Sequence, residues 1–342
     1  MAPPLHVALV AIPEASISTL HGLYDVLQGF GLAGEVMAAL PVEPPFRVEI
    51  VSTDGQPLTL VSGLSTPVHR DLSGDLPDLI VVPSIVLGKA GWQIGRYPEL
   101  VQWLRAAHER GAILCSACSG VFLLAETGLL SGQDVTMHWM YSAEFVRRFA
   151  DVVVHPDKAL VVGGDRQQFV TSGAATSWHD LILYLIARTV GRTAAQAIAN
   201  VFALKWHQDG LGPYIVFNGQ IDHTDAAIAE AQRWLNQNYA QADPVADAMG
   251  RSGLTERTFM RRFREATKHT PLGYVQLLRV EDAKRRLERT DASIETIGWQ
   301  VGYEDGAFFR RLFKRITGVT PGHYRRHFGL PPLPRAESKS PS

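Results

Sequence analysis

The stretch "SGLTERTFMRRFREATKHTP", Ser252 to Pro271, is written again as "GYEDGAFFRRLFKRITGVTP", Gly302 to Pro321. A shift of fifty places Phe259 on Phe309, Arg261 on Arg311, Phe263 on Phe313, Thr270 on Thr320, Pro271 on Pro321 and Tyr274 on Tyr324. In each copy the two phenylalanines are four apart, so they share one helix face and point into a core. The arginines project from another face. Each Thr-Pro pair marks a helix start, a capping side chain followed by proline at the first helical position. Asp243-Pro244 repeats the device, and Ser293 and Asp305 are further N-caps. These signals cut the C-terminal part into about seven short helices.

A helix at Val245–Met249, a Gly-containing turn and the first repeated helix make a helix-turn-helix; Ile294–Val301 and Gly306–Arg315 make a second. The second helix of such a unit fits the DNA major groove. A long helix expected at Leu272–Arg289 sets their separation, so that two heads on one rod enter successive grooves about 34 Å apart. A bundle with solvated arginine faces would carry the same charges, but it has no need of a duplicated cap, core and basic face. The charge distribution agrees: residues 243–330 hold 17 Lys and Arg against 11 Asp and Glu, while the 242 residues before them hold 14 against 22. A basic back half on an acidic front suits a polyanionic partner.

The front half alternates. Strand-like runs stand at His6–Ile12, Arg47–Ser52, Asp78–Pro83, Ala112–Ser116, Leu160–Gly164 and Gln168–Ser172, with helical patterns at Ile17–Phe30, Glu99–Arg110, Gly120–Thr127, Tyr141–Phe149 and Ser177–Val190. Continuous apolar strands followed by amphipathic helices predict a mostly parallel sheet covered on both faces, a flavodoxin-like sandwich. The expected class is therefore an α/β N-terminal domain plus an all-α C-terminal domain with two helix-turn-helix motifs. The expected boundaries are a sensing domain at 5–195, a linker at 207–225, a DNA-binding domain at 226–330 and a disordered tail at 331–342. The N-terminal apolar run lacks a basic n-region and reads as a first strand, no apolar run is long enough for a membrane span, and a cytoplasmic location is expected. Two cysteines, Cys115 and Cys118, make neither a disulfide framework nor a zinc site, and no cofactor or metal is expected.

Within "GAILCSACSGVFLLAETGLL" a strand runs into a tight turn and then a helix, with Cys118 at the tip. That is the layout of a nucleophile elbow, and the helix N-terminus favours a thiolate there.

The segments from Thr255 to Pro271 and from Ile297 to Tyr324 resemble the double helix-turn-helix domain of the AraC/XylS family of transcription regulators. The elbow, "VTMHW" and "TSGAATSWHDLILYLIAR" resemble the PfpI-type, class I glutamine amidotransferase-like domain as it stands in front of such readers in GlxA-like regulators. The resemblance implies base contacts from Arg257, Thr258, Met260 and Arg261 in the first head and from Gly306, Ala307, Arg310 and Arg311 in the second, with Lys268, Arg325 and Arg326 on phosphates. It implies a small-molecule pocket near Glu14, Ser84, Cys118, Ser119 and His138, for an effector such as a nitrogen-containing metabolite. Catalytic relatives place an acid where Thr19 stands, a Gly-Gly where Ser84-Ile85 stands, and some a histidine where Ser119 stands. The chain is therefore expected not to be an enzyme; the rival is a cysteine-dependent amidohydrolase or hydratase with a DNA-binding tail. Expected partners are double-stranded DNA, the effector, a second copy of the chain, with Trp178 and His179 at a candidate interface, and RNA polymerase.

Overall fold

The computed structural model describes residues 3–34, 37–41, 43–219 and 221–329. The tail at 331–342 lies outside them. The chain divides into two compact units, Met1–Leu211 and Gly212–Ser342. Among the described residues no helix is long and apolar enough to cross a membrane.

In the first unit the strands are β1 (Leu5–Val10), β2 (Phe46–Val51), a ribbon of β3 (Leu58–Thr59) and β4 (Ser65–Thr66), β5 (Leu79–Val82), β6 (Ile113–Ala117), a second ribbon of β7 (Asp134–Val135) and β8 (Val153–Val154), β9 (Leu160–Gly163) and β10 (Phe169–Ser172). Six of them form one sheet in the order β2-β1-β5-β6-β10-β9. All its pairings are parallel except β9 on β10, which is antiparallel at the edge. Val7–Val10 and Leu79–Val82 are buried on both faces, which is why these strands read as unbroken apolar runs. The helices are α1 (Ile17–Gln28), α2 (Phe30–Gly34), α3 (Pro98–Glu109), α4 (Val121–Ala125), α5 (Trp139–Arg148), α6 (Trp178–Thr189) and α7 (Arg192–Phe202). α1 packs with α6 and α6 with α7, while α3 packs with α4. The strand order reverses between β1 and β5, a switch point at whose carboxyl ends such sheets bind ligands. There the two following loops are stitched together: Ser16 N donates to Ser84 O (2.7 Å), Val86 N to Glu14 O (2.8 Å), and Ala15 bridges Ile85.

Residues 207–225 are divided between the units. Asp180 accepts from His207 N (2.7 Å) and pairs with its Nδ1 (2.6 Å), and Leu211 N reaches Asp157 O (2.6 Å). Beyond Leu211 the chain lies on the second unit, where Lys284 Nζ donates to Ile215 O (2.7 Å) and Phe217 N to Glu281 Oε2 (3.2 Å).

That unit has α8 (Ala226–Asn238), α9 (Pro244–Ser252), α10 (Glu256–Thr267), α11 (Pro271–Arg289), α12 (Ile294–Gln300), α13 (Gly306–Thr317) and α14 (Pro321–Phe328). The repeat holds at the level of single bonds. Thr267 Oγ1 donates to Phe263 O (2.7 Å) and Thr317 Oγ1 to Phe313 O (2.9 Å). Lys268 and Gly318 end their helices in the left-handed region, at φ 64° and 85°. Thr270 caps Gly273 N (3.1 Å) as Thr320 caps His323 N (3.3 Å). Phe263 meets Tyr274 edge-on at 5.4 Å, and Phe313 meets Tyr324 edge-on at 5.6 Å.

α11 joins the copies. Its Tyr274, Val275 and Leu278 belong to the core of the first head, with Phe259 and Phe263; its Val280, Ala283 and Leu287 belong to the core of the second, with Phe309 and Phe313. Between the two sets stands Arg279, 8% exposed. Its guanidinium donates to Tyr239 O (2.7 Å) and Gln241 O (2.7 Å) beside the first head and to Gly302 O (2.8 Å) in the turn of the second, and it lies over the Tyr303 ring at 4.8 Å. Gly302 permits this: at φ 93°, a Cβ there would stand 2.7 Å from Ala240 O and 2.9 Å from the guanidinium carbon. A hydrogen bond to a charged group contributes ~1.5–3 kcal/mol when well formed. Arg279→Met removes three such bonds at a partly buried site, so it should destabilise the second unit by about 2 kcal/mol or more, lowering its thermal transition in the full chain while that of the first unit stays in place.

Candidate functional site

The two reading helices present matched faces. On α10, Phe259 and Phe263 are fully buried, whereas Arg257, Met260, Arg261 and Arg264 are exposed; Thr258 is half-buried, its hydroxyl accepting from Thr255 (2.9 Å). A concavity of about 660 Å³ beside this face is lined by Arg257, Met260, Arg261, Arg264 and Thr270. On α13, Phe309 and Phe313 are buried and Ala307, Phe308, Arg310 and Arg311 exposed, with Gly306 half-exposed at the first turn. Asp305 caps that turn, accepting from Ala307 N (2.7 Å) and Phe308 N (3.1 Å). The amides of Phe308 and then Ala307 hold its carboxyl below the ordinary range.

The basic side chains are not equally available. Arg261 pairs with Glu265 and Arg310 with Glu295, while Arg257 and Arg311 have no hydrogen-bond or ion-pair partner among the described residues. Arg325, expected on phosphate, is turned inward onto Ala292 O (2.5 Å), and Lys268 Nζ covers Glu265 O at its own helix end (2.9 Å); Arg326 is exposed. Two exposed aromatics on this unit escaped the sequence reading: Phe308 (40%) and Trp299 (72%).

The elbow is formed. β6 ends at Ala117, Cys118 takes φ 55°, and a tight 3-10 turn over Cys118–Gly120 leads into α4. Such a φ is strained for a side-chain-bearing residue. Gly120 makes the close crossing, since a Cβ there would sit 2.5 Å from the carbonyls of both Val82 and Pro83. The fold brings Ser84, Ser119 and the backbone of His138 to Cys118, yet does not arm it. Cys118 is 4% exposed, and burial pushes its thiol up; the nearby hydroxyls of Ser84 and Ser119 and the N–H groups of Ser119 and His138 oppose this and are outweighed. No imidazole or carboxylate hydrogen-bonds its sulfur among the described residues. Cys115 is likewise free and buried.

The other pocket candidates are held in place. Ser119 Oγ donates to Ile85 O (2.5 Å) and accepts from Ile85 N (2.9 Å), so its hydroxyl serves the loop after β5. Glu14 accepts from Tyr97 OH (2.5 Å) and pairs with Arg96; burial first, then this carboxylate, pushes the Tyr97 phenol upward. His138 caps α5, Nδ1 accepting from Met140 N (3.2 Å), and burial pulls its imidazole down, which suits a neutral ring. Three hydroxyls in these segments, on Thr19, Ser84 and Ser116, are buried; that of Ser84 faces the Cys118 sulfur, and those of Thr19 and Ser116 have no partner among the described residues. Trp178 packs inward on Gly22, where a Cβ would lie 2.7 Å from its ring. A separate cavity of about 480 Å³ opens among Tyr184, Arg188, Arg192 and Trp206; no sequence pattern announces it, because its walls come from α6, α7 and the chain after them.

Residues 33–188 match the DJ-1/PfpI family and residues 248–327 match a helix-turn-helix domain. The chain is 27% identical over 328 residues to the HTH-type transcriptional regulator CdhR of Pseudomonas aeruginosa, covering 88% of this chain and 90% of that one. It is 25% identical to the HTH-type transcriptional regulator GbdR of the same species, over 82% and 75% of the two chains. A crystal structure of an AraC family transcriptional regulator from Pseudomonas putida, 22% identical, covers 58% of this chain and 100% of that one with a TM-score of 0.48.

With the thiol above its ordinary value of 9.0, Cys118 should stay protonated at neutral pH. In the native chain its alkylation by iodoacetamide should be slower at pH 7 than that of free cysteine, and its rate should still be climbing beyond pH 9, followed by mass spectrometry of the modified peptide.

Proposed function

From the premise that this chain belongs to the AraC-type helix-turn-helix regulators with a DJ-1/PfpI-type front domain, we propose how it divides its work. It is a DNA-binding transcription regulator. The 226–330 region reads double-stranded DNA through Arg257, Thr258, Met260 and Arg261 in one head and Gly306, Ala307, Arg310 and Arg311 in the other. The observation that carries this is the duplicated reading helix, each copy mounted on its own half of α11. Met260 and Gly306 offer no hydrogen bond to a base edge, so they read shape or a thymine methyl.

The front domain binds a small, nitrogen-containing metabolite over the elbow. What supports this is that Thr19 on α1 and Ser116 on β6 carry buried hydroxyls without partners among the described residues, which a polar ligand would satisfy. Cys118 then serves as a wall rather than a nucleophile: a cysteine nucleophile needs a base, and His138 already uses Nδ1 on its own helix. The chain is a regulator and not the amidohydrolase or hydratase that the elbow alone would suggest. Ligand state reaches the reader through 207–225, the segment held by Asp180 at one end and by Lys284 and Glu281 at the other. Dimerisation through the front domain and contact with RNA polymerase complete the reading.

The test is a gel shift on DNA upstream of the protein's own gene and its neighbours. Arg261→Ala with Arg311→Ala should lose specific affinity by roughly 10²- to 10⁴-fold, each arginine contributing about 1–3 kcal/mol, while Cys118→Ser binds as the wild type does. Specific binding that survives the double substitution would sink this assignment.

A further inference from the structure

The arginines of the second unit use their guanidinium groups in two ways. Arg262 gives Nε (2.8 Å) and Nη2 (2.6 Å) to Asp225. Arg286 gives Nε to Asp282 (2.9 Å), Arg285 gives Nη2 to the same carboxylate (3.4 Å), and Arg279 uses all three nitrogens on carbonyls. In each of these the Nε–Nη2 edge, the flat side that can make two parallel bonds, is wholly or partly occupied. Arg261 and Arg310 differ. Arg261 gives only Nη1, to both oxygens of Glu265 (3.0 and 2.9 Å), and Arg310 gives only Nη1, to Glu295. Among the described residues of the second unit they are the two arginines paired to a carboxylate through Nη1 alone, and both stand on the exposed faces of the reading helices; in the first unit Arg96 pairs with Glu14 in the same way.

The two acids are not copies of one another. Fifty residues from Glu265 stands Arg315, and fifty residues from Glu295 stands Val245. Glu265 lies one turn along its arginine's own helix, while Glu295 reaches across from the preceding helix, α12. The braced arginines are not copies either, since Arg261 aligns with Arg311 and Arg310 with Met260, but each head holds one arginine braced by a carboxylate and one with no hydrogen-bond or ion-pair partner among the described residues.

These pairs do little for stability. Their side chains are 61% and 60% exposed in the first head and 46% and 64% in the second, where solvent screens the attraction and leaves little net stabilisation. Their effect is directional. A guanidinium is planar, so engaging Nη1 alone turns the opposite edge away from the acid and restricts its directions. That edge matches O6 and N7 of guanine in the major groove. The carboxylates also repel phosphates, which disfavours contacts in which the arginine follows the backbone instead of a base.

We propose that Glu265 and Glu295 are specificity-determining residues: each holds Nη1 of its arginine, so that Arg261 and Arg310 present the Nε–Nη2 edge to one guanine apiece. This rests on the DNA-reading assignment above. Arg257 and Arg311, unbraced, supply affinity with less base selectivity.

The experiment uses the full chain carrying Glu265→Gln or Glu295→Gln. Dissociation constants are measured on the operator, on its single-base variants and on a scrambled duplex, over a range of salt. The wild type should discriminate at the two guanines by roughly 5- to 150-fold. Each variant should lose most of that discrimination at one base pair, a different one for each, and should bind scrambled DNA more tightly, while its thermal transition stays unchanged. In an Arg310→Ala background, Glu295→Gln should no longer alter the base profile, since it acts through the arginine. Unaltered base profiles in both variants, on an operator that the wild type does select, would overturn this inference and leave the DNA-reading assignment standing. A wild type that selects no operator would remove both.

Discussion

One guanidinium holds the reader together. Arg279 lies between the two cores that share α11 and bonds to carbonyls on both sides of the boundary. An aliphatic residue there would fill the space but leave three partly buried carbonyls without this donor. An arginine satisfies them at once, and its planar fork fixes their directions. The two heads thereby become one body with a fixed angle between the reading helices. The whole proposal for DNA depends on that rigidity: two short helices on a loose tether would each read a few base pairs, whereas two on a pinned rod read one composite site. A rod of 19 residues is about 28 Å long, close to the repeat of the major groove.

Much of this was legible in the sequence. Phe259 with Phe263 and Phe309 with Phe313 announced two helix faces, and the Thr-Pro starts placed α11 and α14 to within a residue. The parallel sheet showed through its unbroken apolar runs. What stayed hidden has a common cause. Arg279, Glu281, Asp282 and Lys284 are all buried on α11, yet in one dimension they read as an ordinary solvated face. The partners of Arg279, Glu281 and Lys284 are carbonyls and an amide tens of residues away, at Tyr239, Gly302, Ile215 and Phe217, and backbone partners leave no trace in residue types; Asp282 pairs locally with Arg285 and Arg286. The same blindness made 207–225 read as a linker. Its Gly, Pro and Asn suit a chain without regular structure, and only the structure reveals how closely that chain is held.

At the front domain, the elbow and its surroundings were legible in the residue pattern, but their state was not. The strained φ of Cys118 and the close crossing at Gly120 are features that a nucleophile site requires. The partners are missing in particular ways: Thr19 brings a hydroxyl where catalytic relatives bring an acid, and Ser119 is bonded to Ile85. Such a site can still bind. Buried hydroxyls without partners among the described residues, on Thr19 and Ser116, are groups that a small polar molecule would satisfy.

The most direct test of the central claim is a footprint of the chain on its operator, by methylation protection of guanine N7, repeated after five base pairs are inserted between the protected patches. Two heads fixed to one rod should protect two patches on one face of the duplex, about one helical turn apart, and the insertion should abolish specific binding by rotating one patch to the far side. A single protected patch, or an insertion tolerated without loss of affinity, would contradict it.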